Sequence, residues 1–285
     1  MTTLRIALQK KGRLHDDSMA LLKEAGIKFN IGSGKLVASS PNFPIEVLFL
    51  RDDDIPQTVA DKVADLGIVG ENELFEKGFE LTVAKPLGFS KCRLSLAIPK
   101  GFDYPGISFF NGKKVATSYP GIIKKYFKEK GIQGDIHEIA GSVEIAPGIG
   151  LADAIFDIVS SGSTLVANQL KEVEVVMQSE AVLVATPNLS PEKQALLDQL
   201  IFRINAVKAA NSNKYILLNA PNNKVADIVK ILPGMKSPTV LPLANGEWSS
   251  IHSVIQEGKF WEIIGQLKAN GAEGILIIPI EKMIL

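Results

Sequence analysis

The sequence predicts an α/β protein that closes with a small domain of ferredoxin-like order, β-α-β-β-α-β. Three observations carry this. Short apolar runs alternate with amphipathic stretches from the first residues onward, the pattern of sheets covered by helices. Residues 211–285 repeat that alternation in a different order, with two strands side by side at its centre. The 285 residues are 46% hydrophobic and 22% charged, which is ordinary globular composition with enough apolar surface to offset ordering entropy.

The elements follow in order. Leu4, Ile6 and Leu8 alternate as a strand, and Lys10-Lys11-Gly12-Arg13 makes a basic turn. Asp16 to Gly26 reads as a helix stopped by glycine. IEVLFLR (45–51) is a buried strand; Asp54 and Pro56 then open a helix whose Ile55, Val59 and Val63 share one face. LGIVG (66–70) and RLSLAI (93–98) are strands, the second stopped by Pro99 and Gly101. KKVAT is a strand, and SYPGIIKKYFKEKG a helix closed by Gly131. AIFDIVS (154–160) is a strand entering a Ser/Gly/Thr turn, and 172–187 holds two strands with a break near Gln178 and Ser179. The stretch from Pro191 is a helix with Leu196, Leu200, Ile204 and Val207 along one side. In the tail, YILLN, SPTVLPL, EWSSIHSVI and GILIIPI are strands, and NNKVADIVKILPG and FWEIIGQLKANG are helices. The alternation before residue 211 implies mostly parallel sheets.

Composition excludes several functions. Thirty-one basic residues balance thirty-one acidic ones, so a broad nucleic-acid or anionic-membrane surface is not expected. Cys92 is the one cysteine, so no intrachain disulfide forms, and His15, His137 and His252 are too scattered for a zinc cage. No signal-type apolar segment and no run of about 18 apolar residues is present, and a cytoplasmic protein is expected. IGSGKL (31–36) lacks the Ser or Thr and the first glycine of a P-loop, and GIGLAD (148–153) is a fragment of a dinucleotide fingerprint.

The strongest candidate for chemistry is DIVSSGSTL (157–165). A strand delivers Asp157, and Ser160, Ser161, Gly162, Ser163 and Thr164 then offer hydroxyls and backbone amides in one concave space. That turn suits a phosphate, and the acid suits the hydroxyls of a sugar carrying it. A plain helix cap has the same composition. Lys10, Lys11 and Arg13 stand where open α/β sheets bind ligands and suit a diphosphate; a solvated basic turn reads the same way. Arg51 with Asp52, Asp53 and Asp54 is a third charged strand end, able to meet Mg²⁺ or merely to cap the next helix. Glu71 and Asn72 are placed to read a base or a ribose, or to start a helix. Arg93 and Tyr119 are weaker candidates of the same kind.

EIAPGIGLADAIFDIVSSGSTL (144–165) resembles the signature of the ATP phosphoribosyltransferase family, which catalyses the first step of histidine biosynthesis. LQKKGRL, RDDDIP, DLGIVGEN, CRLSLA, ATSYP, GSVEIAP, LKEVEVV and IPIEKM (278–283) look like its long, self-regulated form, so the resemblance spans essentially the whole chain. It implies a catalytic part with the two-lobed fold of periplasmic binding proteins. Lobe I would take residues 1–97 and 176–210, lobe II residues 98–175, and a ferredoxin-like histidine-binding regulatory domain residues 211–285. The reaction implied joins ATP and phosphoribosyl pyrophosphate, with Mg²⁺, to give phosphoribosyl-ATP and pyrophosphate.

By the same resemblance, Asp157, Arg13 and Glu144 are catalytic. Asp153, Asp157, Ser160, Ser161, Gly162, Ser163, Thr164, Lys10 and Arg51 bind phosphoribosyl pyrophosphate, and Asp65, Glu71, Asn72, Arg93 and Tyr119 bind ATP. Asn219, Met235, Ser237, Thr239 and Gly274 bind inhibitory histidine, with Asn219 standing where the family pattern has an acid. A homo-oligomer, dimer and hexamer, is implied. The competing reading from another class is a ligand sensor on a binding-protein fold. A sensor for amino acids has no need of Asp157 beside a hydroxyl-rich phosphate cradle.

Overall fold

The computed structural model describes every residue except Met1, Ile31, Ser33, Gly34 and Pro233. Part of the rejected IGSGKL stretch therefore lies outside the described residues. The elements are β1 (Leu4–Gln9), α1 (Arg13–Glu24), β2 (Val37–Ser39), β3 (Ile45–Leu50), α2 (Ile55–Ala60), β4 (Leu66–Gly70), α3 (Glu71–Lys77), β5 (Thr82–Pro86) and β6 (Cys92–Pro99). There follow β7 (Lys114–Thr117), α4 (Pro120–Lys130), β8 (Asp135–Glu138), β9 (Ala154–Val159), α5 (Ser163–Ala167), β10 (Leu170–Ser179), β11 (Ala181–Ala185) and α6 (Pro191–Asn211). The last are β12 (Asn213–Pro221), α7 (Val225–Ile231), β13 (Thr239–Pro242), β14 (Trp248–Gln256), α8 (Glu257–Ala269) and β15 (Glu273–Pro279).

The chain divides into two compact units, residues 1–20 with 27–197, and residues 21–26 with 198–285. The first unit carries two sheets. One has the order β2-β3-β1-β4-β11-β5, the other β10-β6-β9-β7-β8. The second sheet and its helices thus span residues 92–179, wider at both ends than the span 98–175 read from the sequence.

The expectation of mostly parallel sheets is corrected. β1 is parallel to β3 and β4, and β7 to β8 and β9. β2, β5, β6, β10 and β11 all pair antiparallel. The cause is the chain's double passage between sheets. β10 and β11 are separated by Glu180 alone, so the strand that leaves one sheet enters the other without a helical crossover to reverse it. The outgoing passage, between β5 and β6, runs beside the return: Leu87 N–H donates to Ala181 O (2.9 Å) and Ala181 N–H to Phe89 O (3.0 Å).

Each sheet has its own core. Ala7, Val69, Val182 and Val184 pack with Ile55 and Val59 of α2 in the first, and Leu94, Leu96 and Phe156 with Phe110, Ile123 and Phe127 in the second. Such side chains are each worth about 1.5–3 kcal/mol on burial. α4 shows how the sequence sets a helix: Pro120 begins it, Ile123 and Phe127 bury one face, and left-handed Gly131 ends it.

In the second unit β12 to β15 form one sheet of order β13-β14-β12-β15. This is the ferredoxin-like arrangement expected. Ile216, Leu218 and Ala220 point to a core shared with Ile228 of α7 and Leu267 of α8. Tyr215, Leu217 and Asn219 alternate to the opposite face. No described helix is long and apolar enough to cross a membrane.

Candidate functional site

The carboxyl ends of β1, β3 and β4 and those of β7 and β9 face one cleft within the first unit. Lys10 N–H bonds to Leu50 O (2.7 Å), which sets the basic turn beside Arg51. Across the cleft, β9 ends in the exposed turn 160–164. Gly162 there takes φ +82°, a left-handed bend that a side chain resists. Ser161 and Ser163 hydroxyls lie 3.0 Å apart. Arg13 Nη1 reaches from the first sheet to within 3.5 Å of Ser160 Oγ. A cation from one lobe thus touches the phosphate-shaped turn of the other.

Asp157 lies three residues before that turn, half-buried, with Oδ1 accepting from Ile158 N–H at 2.8 Å. Burial pushes its carboxyl up to about 6, the Ile158 amide opposes the shift, and the negative field of Glu144 adds to it. Glu144 stands in a short 3₁₀ turn, Val143–Ile145.

Two expected residues lie at the amino ends of their strands, and a third braces the turn. Asp153 precedes β9 and sits at its amino end, accepting from Lys114 N–H (2.8 Å) and pairing with Lys113 Nζ (3.7 Å). Asp65 likewise precedes β4 and lies at the amino end of the first sheet. It accepts from Arg5 N–H (2.9 Å) and pairs with Lys193 Nζ (2.6 Å). Both acids face away from the carboxyl ends where the cleft opens. Asp65→Ala should cost about 2 kcal/mol, because Lys193 loses its partner. A thermal melt should show that loss, and the Michaelis constant for ATP should stay within twofold.

Arg93 moves in the other direction, to the 160–164 turn. β6 runs antiparallel to β9, so Arg93 opposes Val159. Its guanidinium forks onto Glu172 (2.5 and 2.6 Å), and Nη1 donates to Ser160 O (3.0 Å). Ser95 Oγ also donates to Glu172 (2.6 Å). This fork holds the Glu172 carboxyl below its ordinary range. Arg93 thereby braces the turn, a role shared with Glu172 that sequence reasoning missed.

Asn72 and Tyr119 are engaged within the protein. Asn72 Nδ2 donates to Tyr119 Oη (3.3 Å) and Glu73 Oε1 (3.2 Å), and Asn72 Oδ1 accepts from Ser179 Oγ (2.9 Å). Burial pushes the Tyr119 hydroxyl well up, helped by Glu73, Asp157 and Asp52. Burial also raises Glu73. Glu71 bonds through its amide to Glu180 O (3.0 Å), and Arg51 pairs with Asp53 (3.2 Å) on the surface.

Among the described residues, no three His, Cys, Asp or Glu side chains gather as a metal cage. Magnesium asks for less, one or two carboxylates together with substrate phosphates and water. The carboxylates of Asp157 and Glu144, whose negative field reaches Asp157, fit that donor set.

In the second unit, Asn219 of β12 opposes Ser250, and Thr239 of β13 opposes His252. Both thus lie on the sheet face away from the helices. Gly274 backs onto Asn219, whose Nδ2 would lie 3.3 Å from a Cβ at 274. Met235 and Ser237 precede β13 and are exposed. The same face carries a cluster the sequence did not announce. His252 is held between Tyr215 Oη (2.8 Å) and Ser250 Oγ (3.0 Å).

Comparison with known proteins bears on this geometry. Residues 51–206 match the family model described as ATP phosphoribosyltransferase, and residues 210–282 match "HisG, C-terminal domain". The chain is 66% identical to the ATP phosphoribosyltransferase of Phocaeicola vulgatus and 64% identical to that of Bacteroides fragilis, over 99% of this chain and 100% of each relative. Among solved structures, an ATP phosphoribosyl transferase (HisG:HisZ) complex from Thermotoga maritima is similar, with TM-score 0.62 and 30% identity over 71% of this chain and 99% of that one. A substrate binding protein of an amino acid ABC transporter shares the fold, with TM-score 0.50 and 12% identity over 74% of this chain and 95% of that one.

Proposed function

We propose, starting from the fact that this chain belongs to the ATP phosphoribosyltransferase family, that it joins N1 of the adenine of ATP to C1 of 5-phosphoribosyl 1-pyrophosphate and releases pyrophosphate. The enzyme is a pentosyltransferase, and the reading concerns how its residues divide the work. The 5′-phosphate would sit in turn 160–164, on backbone amides and the hydroxyls of Ser161, Ser163 and Thr164. Asp157 would accept hydrogen bonds from the ribose hydroxyls. Its negative charge would face the ring as positive charge grows on C1. Arg13, Lys10 and Arg51 would face the pyrophosphate and triphosphate. Glu144 and Asp157 would hold magnesium, which when bound neutralises the departing pyrophosphate. Little covalent work falls to the protein, so most of the barrier reduction comes from holding two substrates in line.

The observation that carries the reading is Arg13 within 3.5 Å of Ser160 across the cleft. A sensor for amino acids would have no need of Asp157 beside that hydroxyl-rich turn. Incubation with ATP and phosphoribosyl pyrophosphate should release pyrophosphate in proportion to product. No release from the folded protein with magnesium present would defeat the reading.

The face bearing Asn219 and Thr239 is read as the histidine site, with inhibition acting as a coupling between distinct sites. Asn219→Ala and Thr239→Val should each raise the half-inhibitory histidine concentration about tenfold, equal to losing one good hydrogen bond, at unchanged basal rate. Unaltered inhibition in both would remove the assignment. The same reading takes the enzyme as cytoplasmic and as a homo-oligomer, dimer and hexamer. Sedimentation with and without histidine tests the assembly, and a monomer in both conditions overturns it.

A further inference from the structure

We propose that Glu76 is a positioning residue, latching the two lobes at their working angle by capping helix α4 from the opposite lobe. The inference deepens the transferase reading and rests on it only for its kinetic consequence. α4 begins at Pro120 with no side-chain cap of its own from Tyr119. Its first amides therefore need partners from elsewhere. Glu76, on α3 of the first lobe, supplies them. Oε1 accepts from Gly121 N–H at 2.7 Å and Oε2 from Ile122 N–H at 2.9 Å. A carboxylate there also meets the positive end of the helix dipole.

A second, steric observation shows that the contact is built for closeness. A Cβ at Gly121 would stand 3.0 Å from Glu76 Oε1, 3.2 Å from its Cδ and 3.2 Å from its backbone oxygen. Glycine at 121 is what lets the carboxylate reach two consecutive amides. Next to this cap, Asn72 ties α3 to Tyr119 and to Ser179 at the end of β10. Tyr119, the residue just before α4, is thus tied to the same helix, α3, that caps Gly121 and Ile122. One rim of the cleft is fixed by these short contacts; at the other rim Arg13 and Ser160 meet at 3.5 Å. Freeing the first rim lets the two halves of the site drift, and misplacement on the order of 1 Å is worth up to about a hundredfold in rate.

The 5′-phosphate turn lies wholly in one lobe, while Lys10, Arg13 and Arg51 reach the pyrophosphate from the other, so transfer should separate from binding of the sugar phosphate alone. In Glu76→Ala, kcat should fall about tenfold, a fraction of an ångström's misplacement. The dissociation constant for ribose 5-phosphate, which lacks the pyrophosphate, should stay within twofold by calorimetry. Gly121→Ala keeps the carboxylate and displaces it, so it should give the same split. The double variant should lose no more than either single one. Hydrogen exchange of the peptide spanning residues 119–123 should speed up in each. Should Glu76→Ala not fold by circular dichroism, Glu76→Gln carries the test, with kcat down about threefold from the weaker neutral cap.

A kcat within twofold of wild type in the folded variant, additive losses in the double variant, or unchanged exchange at 119–123 overturns the latch. The exchange readout needs no turnover. A wild-type protein that makes no pyrophosphate would refute the transferase reading and leave the latch testable.

Discussion

Asp157→Asn will abolish transfer and make the protein more stable. The carboxyl is pushed up to about 6 chiefly by burial, so the folded value lies above the unfolded one, near 3.9. Above pH 6 the native state carries a desolvated negative charge, and that cost fades as pH falls through 6 toward 4. Asparagine removes the cost and can still accept from Ile158 N–H. A gain on the order of 1–3 kcal/mol is expected at pH 8, visible as a higher melting temperature. Transfer should fall by a factor on the order of a thousand, because the ribose hydroxyls and the developing charge on C1 lose their anion. Wild-type kcat/KM should decline as pH drops through 6. Activity retained within tenfold, or a lower melting temperature at pH 8, would contradict the role given to this acid.

Gly162→Val will cost most of the affinity for phosphoribosyl pyrophosphate. The turn needs φ +82° at this residue, where a β-branched side chain is a strong outlier. The nearest side-chain atom, Val159 Cγ1, stands 3.9 Å from the added Cβ, so the damage comes from the backbone and not from crowding. The bend should reopen and withdraw the amides around the 5′-phosphate. The dissociation constant should rise about a hundredfold, roughly 2.7 kcal/mol. ATP binding alone, measured by calorimetry, should be unaffected. An unchanged constant would place the phosphate elsewhere.

Much of the fold is readable because the chain states it locally. Pro120 and Gly131 bracket α4, and Ile216, Leu218 and Ala220 alternate through β12. The phosphate-shaped turn is equally local, since Asp157 and residues 160–164 are neighbours in sequence. Asp65 and Asp153 stand apart from that turn. Each stands one residue before its strand, hence at the amino end, whereas ligands in open sheets gather at the carboxyl ends. That position is legible in the sequence, since each acid immediately precedes an apolar strand. Arg93 could not be placed that way. It too starts a strand, but β6 is antiparallel to β9, which carries it to the turn. Strand direction is set by pairing over long separations, which no local pattern encodes. Glu73 and Glu76 likewise sit three apart on α3 in plain view, and only tertiary structure reveals their partners across the cleft.

The two passages between lobes, bonded to each other through Leu87, Phe89 and Ala181, amount to a two-ply ribbon. Such a strap flexes more readily out of its own plane than within it. Lobe movement about it should therefore favour a swing across that plane. The strap sets the direction of the swing, and the cap of Glu76 on Gly121 and Ile122 sets where it stops.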